Sequence, residues 1–233
     1  MGYRIFNIGE IVESDLPLVQ ISVWHKDGED IKRVSQMAGA LKNRGLDFVI
    51  HVASLYMSET RPGIRDYHLQ SLKEYAKMAD LALVVHDETG PDGNRLNGIW
   101  REAYEEALAE LEKICRVSIE NAFDSKNALW FWDQFADSIT FDIGHFEAAG
   151  MDVLGVIEDL EDGHIKKLDF VHIHRNDGVH WGSITDHWPL TMGCVEIGAL
   201  ERLLELKEDV GVIIEVDVKD LPQSLQALSS TIH

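Results

Sequence analysis

Short runs of β-branched and apolar residues recur along the chain, and most are followed by longer segments in which apolar residues return every three or four positions. The runs are Tyr3 to Ile8, Leu18 to Trp24, Asp47 to Ala53, Leu81 to His86, Arg116 to Glu120, Ser138 to Asp142, Leu168 to His174 and Val210 to Val216, which makes eight strand candidates. Between them, Ile31, Val34, Met37, Ala38 and Leu41 trace one face of a helix, as do Trp100, Ala103, Ala107, Leu111 and Ile114. The same spacing returns at Val153, Val156, Ile157 and Leu160 and at Ile197, Leu200, Leu203 and Leu204. Strands alternating with amphipathic helices predict a parallel sheet whose faces the helices cover. Eight strands of this kind close most economically into a TIM (β/α)8 barrel, while an open doubly wound α/β sheet gives a similar pattern. The first connection is irregular, because only about nine residues, Pro17 among them, separate the first two strand candidates. No full helix fits there, so the barrel is expected to lack its first helix or to have a displaced first strand. Trp130 and Trp132 read as helix-to-barrel packing, and Gly90, Gly93 and Gly98 as a turn without phosphate-loop spacing.

Composition sharpens this picture. At 233 residues and 45% apolar content, one domain spanning the whole chain is the default, with no repeat or linker to divide it. Acidic side chains outnumber basic ones by 41 to 21, and the formal charge of −20 repels polyanions. Unaided binding to a nucleic-acid backbone is therefore disfavoured, and a small-molecule enzyme fits better. Solubility alone explains the charge equally well. Cys115 and Cys194 lie in no ligand-like or disulfide-framework spacing. No segment reads as a signal peptide or a membrane span, so a reducing cytoplasm is the expected location.

The candidate chemistry lies at strand ends. His51, His86, Glu120, Asp142, His172, His174 and Glu215 each fall at or near the end of a strand candidate, and His145 and His187 follow in loops. Singly, each histidine reads more simply as a hydrogen-bonded structural residue. Together they change the odds, since structural histidines have no reason to gather on the C-terminal side of successive strands, where barrel active sites form. Asp142 and His145 flank a turn containing Gly144 and can reach one ion, while alternation puts His172 and His174 on one face, where only one of them need bind. Imidazole nitrogen with carboxylate oxygen suits a divalent metal such as Zn²⁺, Mn²⁺, Fe²⁺ or Co²⁺. The longest loop candidate, Arg175 to Gly193, supplies further groups. Trp24, Trp181 and Trp188 can stack on a sugar ring or simply pack, and Arg175 beside Asn176 can hold a phosphate or carboxylate or form a solvated salt bridge.

From about His51 to Glu215 these residues resemble the xylose-isomerase-like TIM barrel superfamily, which includes sugar and sugar-phosphate isomerases and epimerases and the apurinic endonucleases of type IV. The resemblance is carried by IENAF, FDIGH, HIHRNDG followed by HWPLTMG, and the terminal IIEV. It implies that Glu120, Asp142, His172 and Glu215 hold one divalent metal, Zn²⁺ or Mn²⁺, as in the isomerase branch. In the endonuclease branch a larger set surrounds three zinc ions, and His51, His86, His145 and His187 fall where its additional histidines are expected. The chain departs from that branch at three places. Thr185 stands where the loop histidine's partner aspartate is expected, with Asp186 displaced by one; Ser54 replaces a groove tyrosine; Thr191 replaces a glycine, with Gly193 arriving late.

Two reactions follow from the resemblance. In the first, a divalent metal polarises neighbouring oxygens of a sugar or sugar phosphate, and Glu120 or Glu215 abstracts the acidified carbon-bound proton while the other completes the transfer. His174, Arg175, Trp181 and Trp188 are the substrate-binding candidates. The second is a zinc-dependent phosphodiesterase in which Glu120 bridges metals and the four further histidines complete their shells. A third class, a barrel that binds a metal or ligand without turnover, predicts the same ligands with no competent base. The histidine count favours the phosphodiesterase, whereas net charge and Ser54 favour the isomerase or epimerase.

Overall fold

The computed structural model describes residues 1–12, 16–122, 126–176 and 187–230. Eight strands, β1 (Gly2–Ile5), β2 (Leu18–Val23), β3 (Asp47–Val52), β4 (Ala82–His86), β5 (Val117–Glu120), β6 (Ile139–Asp142), β7 (Leu168–Ile173) and β8 (Gly211–Ile214), follow one another in sequence order in a closed parallel barrel. Closure excludes the open doubly wound sheet. Among the described residues the helices are α1 (Gly28–Arg44), α2 (Pro62–Met78), α3 (Gly98–Glu112), α4 (Ala128–Phe135), α5 (Ile143–Ala148), α6 (Val153–Glu158), α7 (Asp162–Lys167), α8 (Val195–Leu206) and α9 (Leu221–Ser229).

The irregular first connection contains, among its described residues, a single 3-10 turn at Ile8–Glu10 and no α-helix. β1 ends at Ile5, three residues before the expected strand end at Ile8. The Glu10 carboxylate accounts for the difference, because it accepts the backbone N–H groups of Phe6 and Asn7 at 2.6 and 3.2 Å and curls the chain there.

The chain forms two compact units, Ile5–Ile119 and Met1–Arg4 with Glu120–His233. In the Ile5–Ile119 unit, α1 starts where the Asp27 side chain accepts the Glu29 N–H at 2.8 Å and stops at Gly45, whose φ of 69° is left-handed. Its buried face is the predicted one, Val34, Met37, Ala38 and Leu41. α2 begins at Pro62 and buries Ser71, Leu72, Tyr75 and Ala76, a face too polar to show as an apolar stripe. β2, β3 and β4 pair in parallel, with Ser22 opposite His51 and His51 opposite Val84. Gly90 and Gly93 form the predicted turn, in which Gly90 N–H donates to the Asn94 carbonyl at 2.8 Å, whereas Gly98 is not part of it and opens α3.

In the Glu120–His233 unit, Asp142 of β6 stands opposite His172 of β7, and His172 opposite Ile213 of β8. β1 joins this unit by pairing Tyr3 with Ile214. Trp132 is fully buried against Phe141, Phe146 and His164, in keeping with its predicted packing role. Ile197, Leu200 and Leu203 of α8 are buried as predicted. Parallel pairing carries the C-terminal ends of β6, β7 and β8 to a common edge, and polar side chains gather there.

Candidate metal centre

Glu120 is the last residue of β5 and Asp142 the last of β6, while His172 is next to last in β7 and Glu215 directly follows β8. Each offers one ligand atom, and these four atoms lie within 4.8 Å of one another. His172 Nδ1 is 3.2 Å from Glu120 Oε1, 3.6 Å from Glu215 Oε1 and 3.7 Å from Asp142 Oδ2. All four side chains are buried. Alternation along β7 places His172 inside this group.

Three carboxylates cannot be buried side by side as anions without a compensating positive charge. Asp142 shows how the chain prepares for one. Its Oδ1 caps α5 by accepting the His145 N–H at 2.7 Å, while its Oδ2 is buried and receives no hydrogen bond. Asn121 braces the same residue, with its amide donating to the Asp142 carbonyl at 2.9 Å and its oxygen accepting the Asp142 N–H at 2.8 Å. The asparagine amide acts there as a backbone strand would. A buried acceptor oxygen aimed at two further carboxylates and an imidazole fits a divalent cation by the chemistry of the donors.

A second group lies in the same unit. His145, His174 and His187 can each offer a ring nitrogen within 4.8 Å of the others. His145 Nδ1 stands 2.8 Å from the Asn121 carbonyl, which can only accept, so the ring proton is on Nδ1 and Nε2 carries the lone pair. Burial pushes the His145 imidazole down to about 4, against the opposing pull of Asp142, so the ring is neutral at neutral pH. Burial alone raises the Asp142 carboxyl, but His145 and His174 beside it outweigh that and hold it below the usual carboxylate range. His187 Nε2 lies 3.1 Å from Glu215 Oε2, and Arg4 of β1 reaches within 4.0 Å of the same oxygen.

The depressed His145 sets a pH dependence for the ion-free protein. A histidine at about 4 when folded and 6.5 when unfolded leaves the unfolded state with more bound protons between those values, so stability rises with pH across that window. The buried Glu88 acts oppositely, since burial raises it to about 7 and its contribution is lost as pH rises from 4.5 through 7. Comparing His145→Gln with the parent cancels Glu88. In urea titrations of chelator-treated protein, the parent is expected to gain roughly 3 kcal/mol more than the variant between pH 4 and 6.5. Equal gains in both would show that His145 is not held neutral by burial.

The other predicted residues are placed as follows. In the Ile5–Ile119 unit, His51 and His86 meet with their Nε2 atoms 3.2 Å apart and their rings edge-on, and Gln20 stands 3.3 Å from His51 Nδ1. His174 is fully buried, with both ring nitrogens facing protein groups. Arg175 and Trp188 exchange both backbone hydrogen bonds, at 2.9 and 3.0 Å. Trp188 and Trp24 are exposed. Trp181, Thr185 and Asp186 lie outside the described residues. Sequence reasoning gave no role to Arg4 or Asn121, and it read Gly144 as a turn and His145 as a loop residue where the structure has both in the short helix α5, capped by Asp142. Asn121 alone left a signal, as a polar residue directly behind a strand-ending glutamate.

No protein-family model matches the sequence, and no curated protein does. Solved structures match over nearly the whole chain. A D-tagatose 3-epimerase-like protein is 17% identical with a TM-score of 0.73, covering 100% of both chains. A D-psicose 3-epimerase from Clostridium cellulolyticum H10, solved with D-tagatose, is 11% identical with a TM-score of 0.62, covering 97% of this chain and 91% of that one. A xylose isomerase domain containing protein from Salmonella typhimurium LT2 is 11% identical with a TM-score of 0.66, covering 92% and 88%. At these identities the likeness establishes the barrel fold.

Proposed function

We propose that this xylose-isomerase-like barrel is a divalent-metal-dependent isomerase or epimerase of a sugar or sugar phosphate. The observation that carries the reading is the buried set Glu120, Asp142, His172 and Glu215, four donors from the ends of successive strands converging within 4.8 Å. A bound Zn²⁺ or Mn²⁺ supplies a Lewis acid that makes the hydrogen beside a carbonyl carbon more acidic. Glu120 and Glu215 both approach His172 Nδ1, at 3.2 and 3.6 Å, and provide two bases, one to take a proton from carbon and the other to return a proton to the opposite face of the substrate. Interconversion of epimers needs this pairing, since a single base returns the proton to the face it left. Asn121 and the α5 N-terminus fix Asp142, so the carboxylate does not reorganise as charge develops. The D-psicose 3-epimerase and the D-tagatose 3-epimerase-like protein among the similar folds are in keeping with this reading.

The test is carbon-bound hydrogen exchange. Protein loaded with manganese or zinc, incubated in D₂O with a panel of ketoses and their phosphates, is expected to place one deuterium beside the carbonyl and to form the epimer or the aldose isomer. Chelator-treated protein is expected to do neither. Retention of all carbon-bound hydrogen by the loaded protein across the panel would overturn the proposal.

One observation favours a second reading. His145 and His187, two of the additional histidines, come together beside His174 with ring nitrogens within 4.8 Å of one another, a cluster that a one-metal isomerase does not require. Two or three bound zinc ions per chain, with hydrolysis of a phosphodiester, would establish the zinc-dependent phosphodiesterase instead.

A further inference from the structure

The structure assigns His174 a role outside the donor set: we propose that it is a positioning residue, holding Asp142 and the backbone of His187 in one arrangement without binding the ion itself. The inference rests on the proposed ion site. His174 directly follows β7, two residues beyond His172, and its ring is completely buried.

Its tautomer follows from geometry. The backbone N–H of His187 donates to His174 Nδ1 at 3.0 Å, and a backbone amide can only donate. Nδ1 is therefore the lone-pair nitrogen, and the proton of the neutral ring is on Nε2. That nitrogen lies 3.2 Å from Asp142 Oδ1, the oxygen that also caps α5. Both contacts on Oδ1 leave Oδ2 as the oxygen presented to His172 and the glutamates. With the Nδ1 lone pair taken by the His187 amide and Nε2 carrying the proton 3.2 Å from Asp142 Oδ1, the neutral His174 ring has no lone pair left for an ion.

Two further features fix the ring. Gly144 passes so close that a side-chain carbon there would lie 2.2 Å from His174 Cε1, so only glycine permits this seat. The His187 ring also stacks on it, at 4.2 Å between centroids and 26° between planes. His187 has a φ of 61°, an uncommon left-handed conformation for a residue other than glycine, and the His174 acceptor helps to hold it. One imidazole thus couples the α5 cap to the residue that reaches Glu215 Oε2. Partners of this kind orient metal-binding carboxylates and histidines.

Nitrogen-15 NMR of the histidine side chains and manganese binding by calorimetry test the proposal together. In the parent protein His174 is expected to carry its proton on Nε2; a proton on Nδ1 would overturn the assignment. His174→Ala is expected to weaken manganese affinity by roughly 10- to 100-fold with unchanged stoichiometry. His174→Gln, which can still offer a donor towards Asp142, is expected to recover part of that loss. Unchanged affinity in the alanine variant, or the disappearance of one ion per chain, would each contradict a positioning role. If the alanine variant does not fold, the glutamine variant and the parent's tautomer decide the matter. A parent protein that binds neither manganese nor zinc defeats the proposed ion site, while the tautomer still judges the His174 contacts separately.

Discussion

Replacing His172 by alanine is expected to abolish stoichiometric ion binding and to lower turnover by on the order of 10³-fold or more. His172 supplies the imidazole around which the carboxylates of Glu120, Asp142 and Glu215 close, at 3.2, 3.7 and 3.6 Å. Removing it leaves oxygen donors alone, a set better suited to magnesium or calcium than to zinc. It also leaves three buried carboxylates without the imidazole between them. Elemental analysis after dialysis, together with the hydrogen-exchange rate, measures both effects. Retained zinc with near-parental exchange would show that the ion sits elsewhere.

A single methyl group at Gly144 is expected to be nearly as damaging. The added carbon would lie 2.2 to 2.6 Å from three atoms of the His174 ring, closer than any real contact, and that ring is packed too tightly to step aside. Overpacking of this kind costs about 1–3 kcal/mol, with larger values where neighbours cannot yield. Gly144→Ala is therefore expected to lower unfolding free energy by about 3 kcal/mol in denaturant titrations. It is also expected to weaken ion binding, because displacing His174 releases Asp142 Oδ1 and the His187 backbone. A variant with parental stability would mean that the backbone at Gly144 can retreat from β7.

Much of this arrangement was readable in the sequence because it follows from period and position. Alternation along β7 places His172 on the same face as His174, and the parallel register then sets it opposite Asp142. The predicted faces of α1 and α8 are the buried ones. What escaped was local or required neighbours from distant parts of the chain. α2 hid behind Ser71 and Tyr75 on its buried face, and α5 and α7 are six residues each, too short to show a helical period. The early end of β1 depends on a carboxylate five residues on, at Glu10. Asn121, Arg4 and Gly144 acquire meaning only once Asp142, Glu215 and His174 are beside them. The choice between His172 and His174 was open in the sequence, since both lie on one strand face. The structure sets His172 among three carboxylates and His174 between a carboxylate and a backbone amide.

The central claim is that Glu120, Asp142, His172 and Glu215 share one divalent cation. Anomalous diffraction from crystals grown with manganese, recorded on both sides of the metal's absorption edge, addresses it directly. The account predicts a strong anomalous peak in coordination contact with all four side chains. A manganese-loaded crystal whose anomalous peaks all lie away from these residues would contradict it.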